Sequence, residues 1–312
     1  MPLSLEFEYL DPQAMLADPR FRVVEAFLEH TRRQRIGWHY AIDLAWIHLQ
    51  TAHWPRGARV LDAGGGNGPA QFLLAELGFD VTNIDLARRR PPRHLVGRYG
   101  LSVVELPSYA PTSYVEHQAR GGDAYVPGPL DAFKLGPVGQ YLIGLRYAWR
   151  HRRWRQAAGL PAVAPGRLTW CVGNLCAMPE MADDSFDAVV SLSALEHIPG
   201  EAVATAVAEI DRVVRPGGPW AVTTSATERA QSWWHEASAG WCFAAADLER
   251  LFGARSAAGN ADAGTVLAHY RQCDYLRERL ADFYFTSGNN GMPWGEWNPT
   301  YVPVGIRRAT AA

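Results

Sequence analysis

The chain has 312 residues, 48% of them hydrophobic and 20% charged, with a formal net charge of −2. That length supports one large core with room for an inserted subdomain, and the charge balance points to neither nucleic acid nor an anionic surface as a partner. Cys171, Cys176, Cys242 and Cys273 form no CxxC pair, which argues against a zinc site or a disulfide framework, and no apolar run approaches the roughly 20 residues of a membrane span.

Residues 13–53 read as helical, because "FRVVEAFLEH" and "WHYAIDLAWIHLQ" place apolar groups at three- and four-residue spacing. The stretch before them is acidic and broken by Asp11-Pro12, with no signal-peptide pattern, so a cytoplasmic setting is expected. Pro55 and Gly57 then precede a strand from Ala58 to Ala63. Gly68-Pro69 opens a helix that Gly78 ends, and Val81 to Asp85 is a second strand. This is one βαβ unit.

From Ala87 to Pro165 the alternation stops. The segment is rich in arginine, proline and aromatic residues, with one helical piece, "VGQYLIGLRYAWRHRRWRQ", expected to show solvent a basic face and turn its apolar residues inward. The rhythm resumes with strands at "LTWCVGN" and "FDAVVSLS", the second buried on both faces. "EAVATAVAEIDRVV" follows as a helix with Val203, Val207, Ile210 and Val214 on one stripe. "WAVTTS" is a strand, "AADLERLF" a helix and "VLAHYRQCDYLRERL" a longer one. "GARSAAGNADAG" reads as a small-residue loop, and "DFYFT" and "YVPVGIRRA" as two closing strands.

Glycines 64, 66 and 68 let the backbone turn from strand to helix with no Cβ in the way, so that free N–H groups at the helix start face a ligand. Asp85, at the tip of the next strand, can accept both hydroxyls of a ribose. The dinucleotide fingerprint GxGxxG fits neither from Gly64, which puts Pro69 at the third glycine, nor from Gly66, which puts Gln71 there. The pattern is D-x-G-x-G-x-G, Asp62 to Gly68. A carboxylate there would repel a pyrophosphate but tolerate an α-ammonium and a sulfonium.

These residues, with "GNLCAMPEMADDSFDAVVSLSALEHIP" and "EIDRVVRPGG" in order after them, resemble the class I S-adenosylmethionine-dependent methyltransferases. The likeness covers roughly residues 56–86 and 166–226. It implies an α/β fold: a doubly wound, seven-stranded, mostly parallel Rossmann-like sheet whose last strand is antiparallel. It also implies S-adenosyl-L-methionine as cofactor, with Asp62 near the methionine amino group and Gly64, Gly66 and Gly68 under the ligand. Asp85 would hold the ribose, Asn174 and Leu175 would border the adenine, and the carbonyl of Ser191 or a neighbour would meet the ammonium. The division this suggests is an N-terminal helical lid (1–55), a cofactor-binding core (56–86 and 166–312) and an inserted cap (87–165).

For an acceptor that carries a proton, His197 and His235 are the candidate bases, as the side-chain type that titrates near neutrality. Glu196-His197 serves equally well as a structural fixture of its loop. Some relatives hold Mg²⁺ through E-x-x-E-H, but the first acid would fall at Ser193, so no metal is expected. Trp233, Trp234, Trp241, Trp294 and Trp297 are either core packing or the walls of a flat pocket. The expected partner is a small-molecule acceptor, with no nucleic acid and no membrane; a homodimer is left open. The competing readings are an aminopropyl transferase, which would want acids where "SLSALEH" stands, and a non-catalytic S-adenosylmethionine-binding protein.

Overall fold

The structure, a computed structural model, describes residues 5–31, 36–66, 68–86, 91, 93–109, 137–279 and 297–308. The strand expected over "DFYFT", together with Trp294, lies outside them.

Strands β1 (Leu5–Tyr9), β2 (Arg59–Ala63), β3 (Asp80–Asp85), β4 (Ser102–Glu105), β5 (Leu168–Val172), β6 (Ala188–Leu192), β7 (Trp220–Ala226), β10 (Ala254–Ser256) and β11 (Val302–Arg308) form one sheet. Its order is β10-β1-β11-β7-β6-β2-β3-β5-β4. All pairings are parallel except those of β11 with β1 and with β7. The helices are α1 (Pro12–Ala17), α2 (Pro19–Thr31), α3 (Tyr40–Thr51), α4 (Ala70–Glu76), α5 (Arg93–Tyr99), α6 (Pro137–Ala157), α7 (Ala202–Val213), α8 (Ala245–Phe252), α9 (Ala263–Arg271) and α10 (Asp274–Glu278). A separate hairpin pairs β8 (Trp233–His235) with β9 (Gly240–Cys242).

The Rossmann-like, mostly parallel sheet and its antiparallel last strand are as expected. The strand count is corrected from seven to nine. Two strands arise where the sequence suggests none. β1, ahead of the segment read as helical but within the expected lid of residues 1–55, inserts between β11 and β10, with Phe7 opposite Ile306 and Ser256. β10 forms within the supposed loop at residues 253–264. A third, β4, comes from the inserted segment and extends the far edge beside β5. None of the three exceeds five residues, so their partners rather than their own patterns define them. The expected long helix after residue 264 is two, α9 and α10, separated at Gln272-Cys273.

The basic helix α6 meets expectation only in part: Arg146, Arg152 and Arg153 face solvent, but polar residues are also buried and apolar ones exposed. It buries Tyr147, His151, Trp154 and Arg155, while Tyr141 is 66% and Trp149 57% exposed, with Leu142 and Leu145 beside them. The reason is Glu76, fully buried at the end of α4. Arg98 Nη2 donates to Glu76 Oε2 at 2.8 Å, Arg155 Nη2 does so at 3.4 Å and Tyr99 Oη donates to Oε1 at 2.9 Å. His151 Nδ1 stands 3.2 Å from the same carboxylate. A buried carboxylate requires such partners, and this holds His151 and Arg155 of α6 inward. The Trp154 indole then donates to Val23 O at 3.0 Å, tying α6 to α2.

Candidate functional site

From β2 the chain builds outward through β3 to β5, then returns to β6 on the other side of β2. The crevice at this reversal, outside the strand C-termini, is where open α/β sheets bind ligands. The glycine turn occupies it. Gly64 and Gly66 have φ of +72° and +51°, a region that favours glycine. A Cβ on Gly65 would lie 1.9 Å from Asp62 Oδ2, and one on Gly64 would lie 2.7 Å from the Cβ of Ala194. The turn therefore stays bare for two reasons: the carboxylate packed beneath it and the loop after β6 pressed against it.

Asp62 is fully buried under Gly65, where Asn83 Nδ2 donates to its Oδ2 at 3.4 Å. It organises the turn itself. Two residues not singled out from the sequence complete that support. Asn83 Nδ2 donates to Gly66 O at 3.0 Å. Gln71 Nε2 donates to Gly66 O at 2.8 Å, while its Oε1 accepts from the Trp170 indole at 2.6 Å. A polar side chain in the first turn of the largely apolar "AQFLLAEL" helix is the signal that could have found Gln71, which is 0% exposed. Gly68 closes the turn, its N–H donating to Gly65 O at 2.7 Å.

Asp85 ends β3, and its backbone carbonyl accepts from Gly173 N at 3.0 Å. Asn174 follows directly; its Oδ1 accepts from Cys176 N at 2.9 Å, so part of its acceptor capacity goes to its own turn. Leu175 is buried, with its Cδ1 3.6 Å from where a Gly64 Cβ would sit. Ser191 donates through Oγ to Ala63 O at 2.7 Å, locking β6 to β2. Gly64, Gly66, Gly68, Asp85, Asn174 and Leu175 thus lie at or after the C-terminal ends of the neighbouring parallel strands β2, β3 and β5.

The loop after β6 runs from the glycine turn to β7 and the β8–β9 hairpin. Ser193 holds φ +47°, a costly conformation for a residue with a side chain. Its hydroxyl donates to Glu196, whose buried carboxylate also accepts from Thr224 Oγ1 at 2.9 Å and Ser225 Oγ at 3.4 Å. Glu196 so anchors the loop to β7. His197 Nδ1 pairs with Ala239 O at 2.8 Å, holding the β8–β9 hairpin against the same loop. His235, at the end of β8, has Nδ1 2.7 Å from Ser238 Oγ and its ring 5.2 Å from that of Tyr301. Burial holds its pKa below the ordinary value.

A pair missed from the sequence stands opposite. His39 caps α3, and its Nδ1 lies 2.7 Å from Asp43 Oδ2, with His39 3% and Asp43 0% exposed. Burial raises the Asp43 pKa, against the opposing pull of His39. Trp38, Tyr301 and Trp297 pack around His39 and one another. The signal was present as H-x-x-x-D in "WHYAID", two polar residues one helical turn apart on an apolar helix. Among the described residues no group of three or more His, Cys, Asp or Glu side chains could hold a metal ion, and no helix is long and apolar enough to cross a membrane.

A family model described as "Methyltransferase domain" matches residues 145–222. No curated protein matches the sequence. Among solved structures, the chain is similar to 1,6-didemethyltoxoflavin-N1-methyltransferase of Burkholderia thailandensis, at 15% identity over 86% of this chain and 79% of that one, with a TM-score of 0.40. Phosphoethanolamine N-methyltransferase 2 of Haemonchus contortus matches at 13% identity over 91% and 56%, TM-score 0.47. The [4+2]-cyclase SpnF matches at 16% over 98% and 100%, TM-score 0.46. At such identities none of them speaks to the acceptor. Residues 145–222 thus match a methyltransferase domain, and they include β5, β6 and α7 of a doubly wound sheet whose switch point holds the D-x-G-x-G-x-G turn.

Proposed function

We propose that this chain methylates a small-molecule acceptor at a proton-bearing oxygen or nitrogen, bound between α3, the loop after β6, the β8–β9 hairpin and the start of β11. One observation carries the reading. The loop 193–197 meets the glycine turn at Ala194, β7 through Glu196 and the β8–β9 hairpin through His197, which supports cofactor and acceptor sites on either side of it.

S-adenosylmethionine supplies an already activated methyl group when bound. The residues proposed to hold it are Gly64, Gly66 and Gly68 beneath, Asp85 at the ribose, Asn174 and Leu175 at the adenine, and the Ser191 region at the ammonium, with Asp62 shaping the turn. What remains for the chain is to align the acceptor, exclude water and accept its proton. Trp38, Tyr301 and Trp297 support the first two tasks by offering flat apolar walls.

Residues 87–165 are proposed as the cap over the acceptor. In support, the chain leaves β4 at the sheet edge that carries the glycine turn, and Tyr109 Oη donates to Leu86 O at 3.1 Å, one residue past Asp85. A mass-spectrometric screen for methyl transfer from S-adenosylmethionine to phenols, alcohols and amines tests the function. A protein that binds S-adenosylhomocysteine yet modifies nothing in a broad panel would favour the non-catalytic reading instead.

A further inference from the structure

Three histidines lie among α3, the loop after β6, the β8–β9 hairpin and Tyr301, where the acceptor is proposed to bind, and their hydrogen bonds differ in kind. His197 Nδ1 meets a backbone carbonyl, which holds the ring in place but adds no charge behind it. His235 Nδ1 meets a serine hydroxyl. Only His39 has a carboxylate behind it, at 2.7 Å.

That difference decides the chemistry of each ring. The neutral imidazole facing a buried carboxylate puts its proton on Nδ1, because the carboxylate only accepts. The lone pair is then on Nε2, and among the described residues Nε2 has no hydrogen-bond partner. A carboxylate in this position also stabilises the imidazolium formed when Nε2 takes a proton. The placement suits the task. His39 sits beside Tyr301, which immediately precedes β11 where Val302 pairs with Ala226 at the C-terminal end of β7. Asp43, one turn along, feels the charge of Glu196 in the loop that touches the glycine turn. The ionisable groups around the pair are Tyr40, Tyr301 and His235 on the ring side, and Glu196 and Tyr270 on the Asp43 side.

We propose that His39, held by Asp43, is the proton acceptor of the reaction, with His197 and His235 positioning the loop and the hairpin. This rests on the methyl-transfer reading above. As the acceptor is methylated, its O–H or N–H bond breaks with the electron pair left on the heteroatom. The proton passes to His39 Nε2, and the imidazolium returns it to water after product leaves.

The first arm of the test needs no acceptor. In the S-adenosylhomocysteine complex of the full chain, ¹⁵N-histidine NMR, assigned through His39→Gln, should show His39 as the Nδ1–H tautomer at pH 8. Asp43→Asn, which replaces an acceptor-only group by one that also donates, should move protonation toward Nε2. A His39 that is the Nε2–H tautomer in wild type, or whose signals ignore Asp43→Asn, overturns the proposal.

The second arm uses whichever phenol, alcohol or amine wild type methylates in the screen. His39→Gln should bind S-adenosylhomocysteine as wild type does and lose about 10²–10⁴-fold in kcat, with the residual rate rising with pH. His197→Ala and His235→Ala should each retain more than about a tenth of kcat, below the span of a lost base. Wild-type kcat in His39→Gln overturns the base while leaving methyl transfer intact. Failure of wild type on every acceptor removes the functional reading but leaves the NMR arm to decide the tautomer.

Discussion

Lowering the pH from 7.5 to 5.5 should destabilise this fold through three buried histidines. His48 on α3 and His94 on α5 are each 8% exposed, and His151 on α6 is 0%. Burial, the largest influence in each case, pushes their pKa values from 6.5 down to about 4, about 4 and about 3. A histidine whose folded pKa lies below its unfolded value stays neutral in the fold while the unfolded chain takes up protons. Its stability contribution is therefore complete above pH 6.5 and drains as pH falls from there toward the folded pKa. Within that window each such group costs ~1.4 kcal/mol per pH unit. Over the span chosen, the three together remove about 4 kcal/mol, a large share of the 5–15 kcal/mol typical of a domain. Asp43, whose carboxyl is raised by burial, works in the opposite direction as it protonates. The measurement is urea unfolding at both pH values, for wild type and His94→Asn. The variant has one buried titrating group fewer, so its pH difference should shrink by roughly 1.4 kcal/mol. Stability equal at the two pH values to within about 1 kcal/mol, well inside that linkage estimate, would refute the reasoning.

Asp85→Ala is expected to weaken S-adenosylhomocysteine binding by about 1.5–3 kcal/mol in isothermal titration, the worth of hydrogen bonds to a charged group; preference of wild type for NAD would remove the cofactor assignment. Glu76→Gln takes the charge from beneath Arg98, Arg155 and His151 and should cost about 3–5 kcal/mol in urea unfolding, as a broken buried ion pair does. Arg250→Ala, whose partners Glu201 and Asp247 are at the surface, should leave the unfolding midpoint where it was. Gly65→Ala drives a Cβ onto Asp62 Oδ2, so both the melting temperature and S-adenosylhomocysteine affinity should fall, by calorimetry and titration respectively.

Read as a string, the chain already carries the half proposed to bind the cofactor. The turn from Asp62 to Gly68 and the strand tip at Asp85 are legible because their requirements are local. A positive φ calls for glycine within a residue or two, and a buried parallel strand is a run of apolar side chains such as Ala188–Leu192. The acceptor half is not local. Whether "LEFEY" is a strand depends on partners some 250 to 300 residues away, Ala254–Ser256 and Val304–Arg308. Which way α6 faces depends on one carboxylate, Glu76, in a different helix. His39 and Asp43 are one helical turn apart in any helix, but only the fold sets that turn beside Tyr301 and the end of β7, and gives His235 and His197 their different partners. Periodicity reports which residues must be buried. What they are buried against, and therefore which histidine has a carboxylate behind it, is decided when distant segments meet.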